Sequence, residues 1–239
     1  MRLSSPIYKL KRQARLLARN DGIKLHAALD QIAVKEGFKS WSQLASKYAK
    51  ETPAMEILDQ MRSGDLVLIG ARPGHGKTLL GLELSALAET IDRSGYVFTL
   101  DFNENDVWDR FEKLGFEKNR LARPVIVDTS DDISADYIIE CLNDAPHDAL
   151  IVVDYLQLLD QRRTNPALNE QVQALKKFAT ERQAIVVVIS QIDRTFELSS
   201  SGMPSIKDIR LPNPVDLSIF DKRCFLKDGE VQMEMAAID

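Results

Sequence analysis

Gly70-Ala71-Arg72-Pro73-Gly74-His75-Gly76-Lys77-Thr78 is the stretch on which the fold turns. An apolar run, Leu66–Ile69, leads into it, and a helical pattern begins at Lys77. Strand, glycine-rich turn and helix start together form a phosphate cradle of backbone N–H groups. In that reading Ala71, Arg72, Pro73, Gly74, His75, Gly76, Lys77 and Thr78 contact the nucleotide. Lys77 reaches the β/γ-phosphate oxygens and the Thr78 hydroxyl holds Mg²⁺. The strict pattern has glycine where this chain has Ala71, a small departure that leaves the physics intact. The segment implies a bound nucleoside triphosphate.

Working outward, strand-like and helix-like segments alternate. Strands are expected at 66–69, 95–100, 124–128, 149–154 and 184–190, and helices at 77–92, 104–114, 134–143 and 169–182. Leu150-Ile151-Val152-Val153 and Ile185-Val186-Val187-Val188-Ile189 are continuous apolar runs, as in a sheet covered on both faces. The alternation predicts an α/β fold with a mainly parallel sheet flanked by helices. The tail reads differently: 217–220, 224–226 and 230–235 are expected to be antiparallel strands about a Lys227-Asp228-Gly229 turn.

Four apolar residues precede Asp154, so its carboxylate is expected at a strand end beside the cradle, ordering the Mg²⁺ shell. Hydrolysis also needs a group to orient water. Asp101, just past the second strand, is the natural candidate, with Glu104 one turn on; for each, a helix-capping acid is the competing reading. Gln191, following Ile189-Ser190, is placed to sense the γ-phosphate, or is simply a polar strand end.

The 239-residue chain is 44% hydrophobic and 28% charged, which excludes a wholly disordered polypeptide. No apolar run is long enough to span a membrane, and the basic amphipathic start lacks a secretory h-region. Cys141 and Cys224 fall in no metal or redox spacing, and read as two buried thiols of a cytoplasmic protein. The net charge of −5 conceals a division. Residues 1–50 hold 11 Lys/Arg against 3 Asp/Glu, giving +8, and the remainder sums to −13. Three short amphipathic helices are expected there: one after Ser5-Pro6 ending at Asn20-Asp21-Gly22, one from Leu25 to Gly37, one from Trp41 to Tyr48. The predicted division is a small basic all-α module at 1–50, a linker with a short helix at 51–63, and the α/β domain at 64–239. The basic module suits a protein partner, an acidic body or nucleic acid.

These signatures, taken in order, resemble the RecA-like ATPase core of the DnaB-type replicative helicases, over about residues 55–235. Ala71-Arg72-Pro73 opens a P-loop similar to that family's, and Asp154-Tyr155-Leu156-Gln157-Leu158 resembles its Walker B segment. Ile189-Ser190-Gln191-Ile192-Asp193-Arg194 is similar to its Ser-Gln strand end, and Ile206-Lys207-Asp208-Ile209-Arg210 to its Asp-Leu-Arg stretch. The resemblance implies a homo-oligomeric ring, usually a hexamer, with ATP between subunits and single-stranded DNA in the pore. It places 160–166 and 195–203 at the pore, with Arg162, Arg163 and Arg194 as DNA-phosphate contacts. Two departures stand out. The family carries glutamate at Asp101, and its Lys-x-Arg trans finger has only Lys227 or Arg223 as counterparts. The family's large N-terminal primase-interacting domain is replaced by the basic module, whose Phe38-Lys39-Ser40-Trp41 only loosely resembles a helical segment of bacterial and mobile-element proteins. Two functions follow: an ATP-hydrolysing motor on single-stranded DNA, or a weakened, non-unwinding ATP-dependent assembly switch.

Overall fold

The computed structural model describes all residues except 1–2, 6, 49–51, 146–147, 161, 163, 199–201, 212 and 236–239. The chain divides into two compact units, residues 1–59 and 60–239.

The first unit contains α1 (Ile7–Asp21), α2 (Leu25–Lys35), α3 (Trp41–Tyr48) and α4 (Pro53–Leu58). Its core is small: Leu10, Ala14, Ala28, Ile32, Ala33 and Leu44 are buried, with Leu17, Phe38 and Trp41 packed around them. Polar ties close the bundle. Asp30 accepts from the Trp41 backbone N–H at 2.8 Å, starting α3 against α2. Glu36, at the end of α2, accepts from the Ser4 backbone N–H at 2.8 Å. Thr52 caps α4 by accepting from the Met55 N–H.

The second unit is built on β1 (Leu66–Ala71), β2 (Ser94–Thr99), β3 (Ile126–Asp128), β4 (Ala149–Asp154), β5 (Ile185–Gln191), β6 (Lys222–Lys227) and β7 (Glu230–Met235). They form one seven-stranded sheet in the order β3-β2-β4-β5-β1-β6-β7. Every neighbouring pair is parallel except β6 with β7. The helices are α5 (Lys77–Leu87), α6 (Glu104–Leu114), α7 (Ala135–Cys141) and α8 (Leu168–Arg182).

Strand alternation distributes the apolar runs to two faces. Leu66, Leu68, Ile151, Val153, Val186 and Val188 join a core with residues of α7 and α8. Val152 and Ile189 point the other way and close on Gly81 of α5. All six residues of β1 and of β4 are buried. Gly95 permits the tightest approach in the unit: a Cβ there would lie 2.1 Å from the Ser85 carbonyl oxygen of α5.

The tail departs from expectation at one segment. Leu217–Ile219 is a single 3-10 turn, because Asp216 caps it by accepting from the Ser218 N–H at 2.9 Å. The expected antiparallel hairpin is present as β6 and β7, and β6 also runs parallel to β1. The two-residue turn between them has Asp228 at φ 51° and Gly229 at φ 80°, the left-handed pair of a tight hairpin. The thiols also differ from expectation: Cys224 is buried, whereas Cys141 is exposed at the end of α7. Burial pushes the Cys224 thiol up to about 12. No helix among the described residues is long and apolar enough to cross a membrane.

Candidate nucleotide site

The parallel register brings the carboxyl ends of β1, β2, β4 and β5 to one edge, where open α/β sheets bind ligands. Ala71 lies beside Gln191 on one side and Leu226 on the other. Asp154 pairs in register with Thr99 and with Ile189. Side chains distant in sequence therefore meet around the loop from Arg72 to Gly76.

That loop is shaped for an anion. Gly76, at φ 89°, is the N-cap of α5, and no side chain caps the helix. The first turn of α5 contains no acidic residue. Its free N–H groups and positive dipole end thus face a site supplied with a cation, Lys77, instead of a capping carboxylate. Lys77 itself is only 9% exposed.

Asp154 is 2% exposed, and neither of its carboxylate oxygens accepts a well-formed hydrogen bond. Burial raises its pKa; the Thr78 hydroxyl and the Lys77 charge oppose that rise, and Asp101 adds to it. Two unsatisfied buried oxygens beside a threonine hydroxyl fit a hydrated divalent cation that takes one carboxylate and keeps most of its waters. Among the described residues no cluster of three or more His, Cys, Asp or Glu could hold a metal ion.

Asp101 joins this group. Desolvation raises its pKa and Lys77 lowers it, and its backbone N–H donates to the Thr99 hydroxyl at 3.2 Å. Glu104 does not join it. Its carboxylate accepts from Lys118 Nζ at 3.1 Å and from Trp108 Nε1 at 3.3 Å, contacts that hold its pKa low. Asn103, one residue earlier, is the helix cap, accepting from the Asp106 N–H at 2.9 Å. Of the two acids expected to handle water, the structure brings Asp101 to Lys77 and Asp154 and engages Glu104 elsewhere.

The remaining predicted residues sort by their partners. Arg72 points from the cradle toward the segment after β5: Nε is 2.8 Å from Glu197 and Nη1 is 3.1 Å from the Ile192 carbonyl. His75 Nδ1 accepts from the Asp228 N–H at 3.1 Å, so the β6–β7 turn touches the P-loop. Gln191 Oε1 receives Arg210 Nη1 at 3.3 Å. Arg162 is exposed and paired with Asp132, a surface pair worth about 0–1 kcal/mol and so readily exchanged for a phosphate. Arg194 is exposed, and Arg163 lies outside the described residues. Arg223 turns inward: Nη2 donates to the Leu217 carbonyl at 3.1 Å and its Nε is buried without a partner. Lys227 Nζ stands 5.0 Å over the Phe196 ring.

Comparison with known proteins adds the family. Residues 109–216 match the model of the DnaB-like helicase C terminal domain, a span that begins after the P-loop and includes Asp154 and Gln191. Together the matched span, the curated relatives and the sheet order support a DnaB-type C-terminal RecA-like ATPase domain. The chain is similar to the Replicative DNA helicase DnaB of Mycoplasma genitalium, 26% identical over 64% of this chain and 41% of the relative. It is likewise similar to the protein of that name from Mycoplasma pneumoniae, 25% identical over 75% of this chain and 47% of the relative. The chain thus spans less than half the length of these relatives. Among solved structures, a DnaB-like replicative helicase described with its primase interactions superposes with a TM-score of 0.61, at 20% identity, over 96% of this chain and 72% of that chain. A second solved structure, an isolated ATPase domain, does so at 0.59 and 20% identity, over 87% of this chain and 90% of that chain. These likenesses establish the RecA-like fold. The names of the curated relatives do not favour the reading of the DnaB-type domain as an assembly switch.

Sequence reasoning missed the contacts that join this domain's motifs: Asp228 to His75, Glu197 to Arg72 and Arg210 to Gln191. Each spans a long stretch of chain, and only the Asp-Ile-Arg similarity pointed toward one of them.

One prediction follows from Asp154. Its raised pKa means the fold disfavours the charge, so this group's contribution to stability falls as pH rises from the ordinary carboxylate range through the raised value. Asp154→Asn removes that dependence. Without nucleotide it is expected to be more stable than wild type at neutral pH, by on the order of 1 kcal/mol. Thermal melts across pH, run with turnover assays, should show a higher midpoint and loss of magnesium-dependent activity together.

Proposed function

We propose that the chain is an ATP-hydrolysing motor of the DnaB type, acting on single-stranded DNA as a homo-oligomeric ring, a hexamer by family resemblance. The observation that carries the nucleotide chemistry is the convergence of Lys77, Asp101 and the orphaned Asp154 oxygens on one sheet edge, beside an uncapped helix start. The loop amides and Lys77 hold the β/γ-phosphates of ATP. Thr78 and Asp154 would hold Mg²⁺, and the chemistry it would supply is charge neutralisation on the phosphates. Asp101 orients the attacking water, and its raised pKa suits a proton acceptor. Gln191, at the end of β5, senses the γ-phosphate in this reading. Arg162, Arg163 and Arg194 supply DNA-phosphate contacts, and Arg223 or Lys227 serves a neighbouring subunit. The +8 charge of residues 1–50 suits a protein partner.

The test is ATP turnover by the full chain with and without oligo-dT. Stimulation by DNA is expected, and Asp101→Asn should lower the stimulated rate about 10²-fold. Asp101→Glu, one methylene longer, should retain activity. Equal turnover with and without DNA would sink the motor reading.

A further inference from the structure

Gln157 joins segments of the nucleotide site to the roots of the two loops proposed to face DNA. It lies in the 3-10 turn Leu156–Asp160, three residues past Asp154 and at the root of the 160–166 loop. Its side-chain Nε2 donates to the Ser190 hydroxyl at 3.1 Å and to the Arg210 carbonyl at 2.6 Å. Ser190 is wholly buried and directly precedes Gln191 on β5. Arg210 closes the other excursion, 192–209. Its N–H donates to the Gln191 carbonyl at 2.8 Å, beside the Ile192–Ile209 bridge and the Asp193 N–H to Asp208 carbonyl bond at 2.7 Å. One amide thus spans the Asp154 strand exit, the strand end beside the P-loop, and the base of the 192–209 excursion.

The arrangement has a cost. Gln157 Oε1 is buried with no donor, and an unsatisfied buried acceptor is unfavourable. A side chain serving only to fill space there would be apolar. The two donated bonds fix the amide in the one orientation that leaves Oε1 stranded.

We infer that Gln157 is a positioning residue that transmits the state of the ATP site to the loops carrying Arg162 and Arg194. This rests on the motor reading above. The hydrogen bonds of the Gln157 side chain go to Ser190 and Arg210, and not to Lys77, Asp101 or Asp154. Basal turnover and DNA-stimulated turnover should therefore separate when it changes.

The experiment compares the full-length wild type with Gln157→Met and Gln157→Glu. Methionine removes the stranded acceptor and both donated bonds at similar size; glutamate keeps the shape but loses the donor. Each variant is melted, then assayed for ATP turnover with and without oligo-dT, and for oligo-dT binding without nucleotide. The expected result is cooperative melting, basal turnover and DNA binding within about threefold of wild type, and DNA stimulation lowered about tenfold. If methionine abolishes cooperative melting, the glutamate variant decides. Wild-type stimulation in a folded variant, or basal and stimulated rates falling in parallel, overturns the assignment of Gln157 alone. A wild type that oligo-dT does not stimulate overturns the motor reading and this inference with it.

Discussion

Lys77→Ala is expected to lower ATP turnover at least ~10³-fold while leaving a folded protein. Lys77 is the cation at the N-terminal end of α5, where the helix dipole and the exposed N–H groups are already positive. A lysine there opposes the dipole, and that arrangement becomes favourable only with a polyanion between them. Lys77 also opposes the desolvation of Asp154 and of Asp101. Removing it withdraws the charge proposed to meet the transferring phosphoryl group and pushes both carboxyls further up. Lys77→Met, which keeps most of the buried volume, should lose as much activity, because the missing quantity is charge. Steady-state turnover together with nucleotide binding by fluorescence anisotropy checks both variants. Turnover within about tenfold of wild type would remove Lys77 from the chemistry.

The largest expected stability effect lies at the opposite edge of the sheet. Lys222, at the start of β6, is 2% exposed and forms an ion pair with Asp65, which also accepts from the Arg62 N–H at 2.6 Å. Next to it, Asp221 accepts from the Leu66 N–H at 2.7 Å and from Lys176 of α8. Lys222→Met leaves the Asp65 carboxylate buried opposite a thioether and should cost about 3–5 kcal/mol. Asp65→Asn added to Lys222→Met removes the unpaired charge and retains an acceptor for Arg62, so the double variant should recover most of the loss. Urea unfolding of wild type, single and double variants measures this directly. A single variant as stable as wild type would mean that solvent reaches Asp65 freely.

Much of the ATPase unit is legible in the sequence because its signals are local. The runs 150–153 and 185–189 announce strands covered on both faces, and the glycine-rich turn announces its own shape. Asp154 is legible as a strand end. Glu104 shows where local reading stops: one turn past Asp101 looks equivalent on paper, yet Lys118 and Trp108 hold it at the surface. The 217–220 segment, apolar enough for a strand, is closed into a turn by the single side chain of Asp216. The parallel pairing of β6 with β1 and the reach of Asp228 to His75 depend on strand order, which no local periodicity encodes.

That strand order has a consequence for how the site comes into being. β1 carries the P-loop, but its two neighbours are β5 and β6, both formed far later in the chain. As the polypeptide leaves the ribosome, the P-loop strand has no partner until residues 185–191 emerge, and one bare edge until 222–227 follow. Contacts of such long sequence separation form slowly. The phosphate cradle is therefore among the last features of the nascent domain to be held in place, and nucleotide capture reports that the whole sheet has closed.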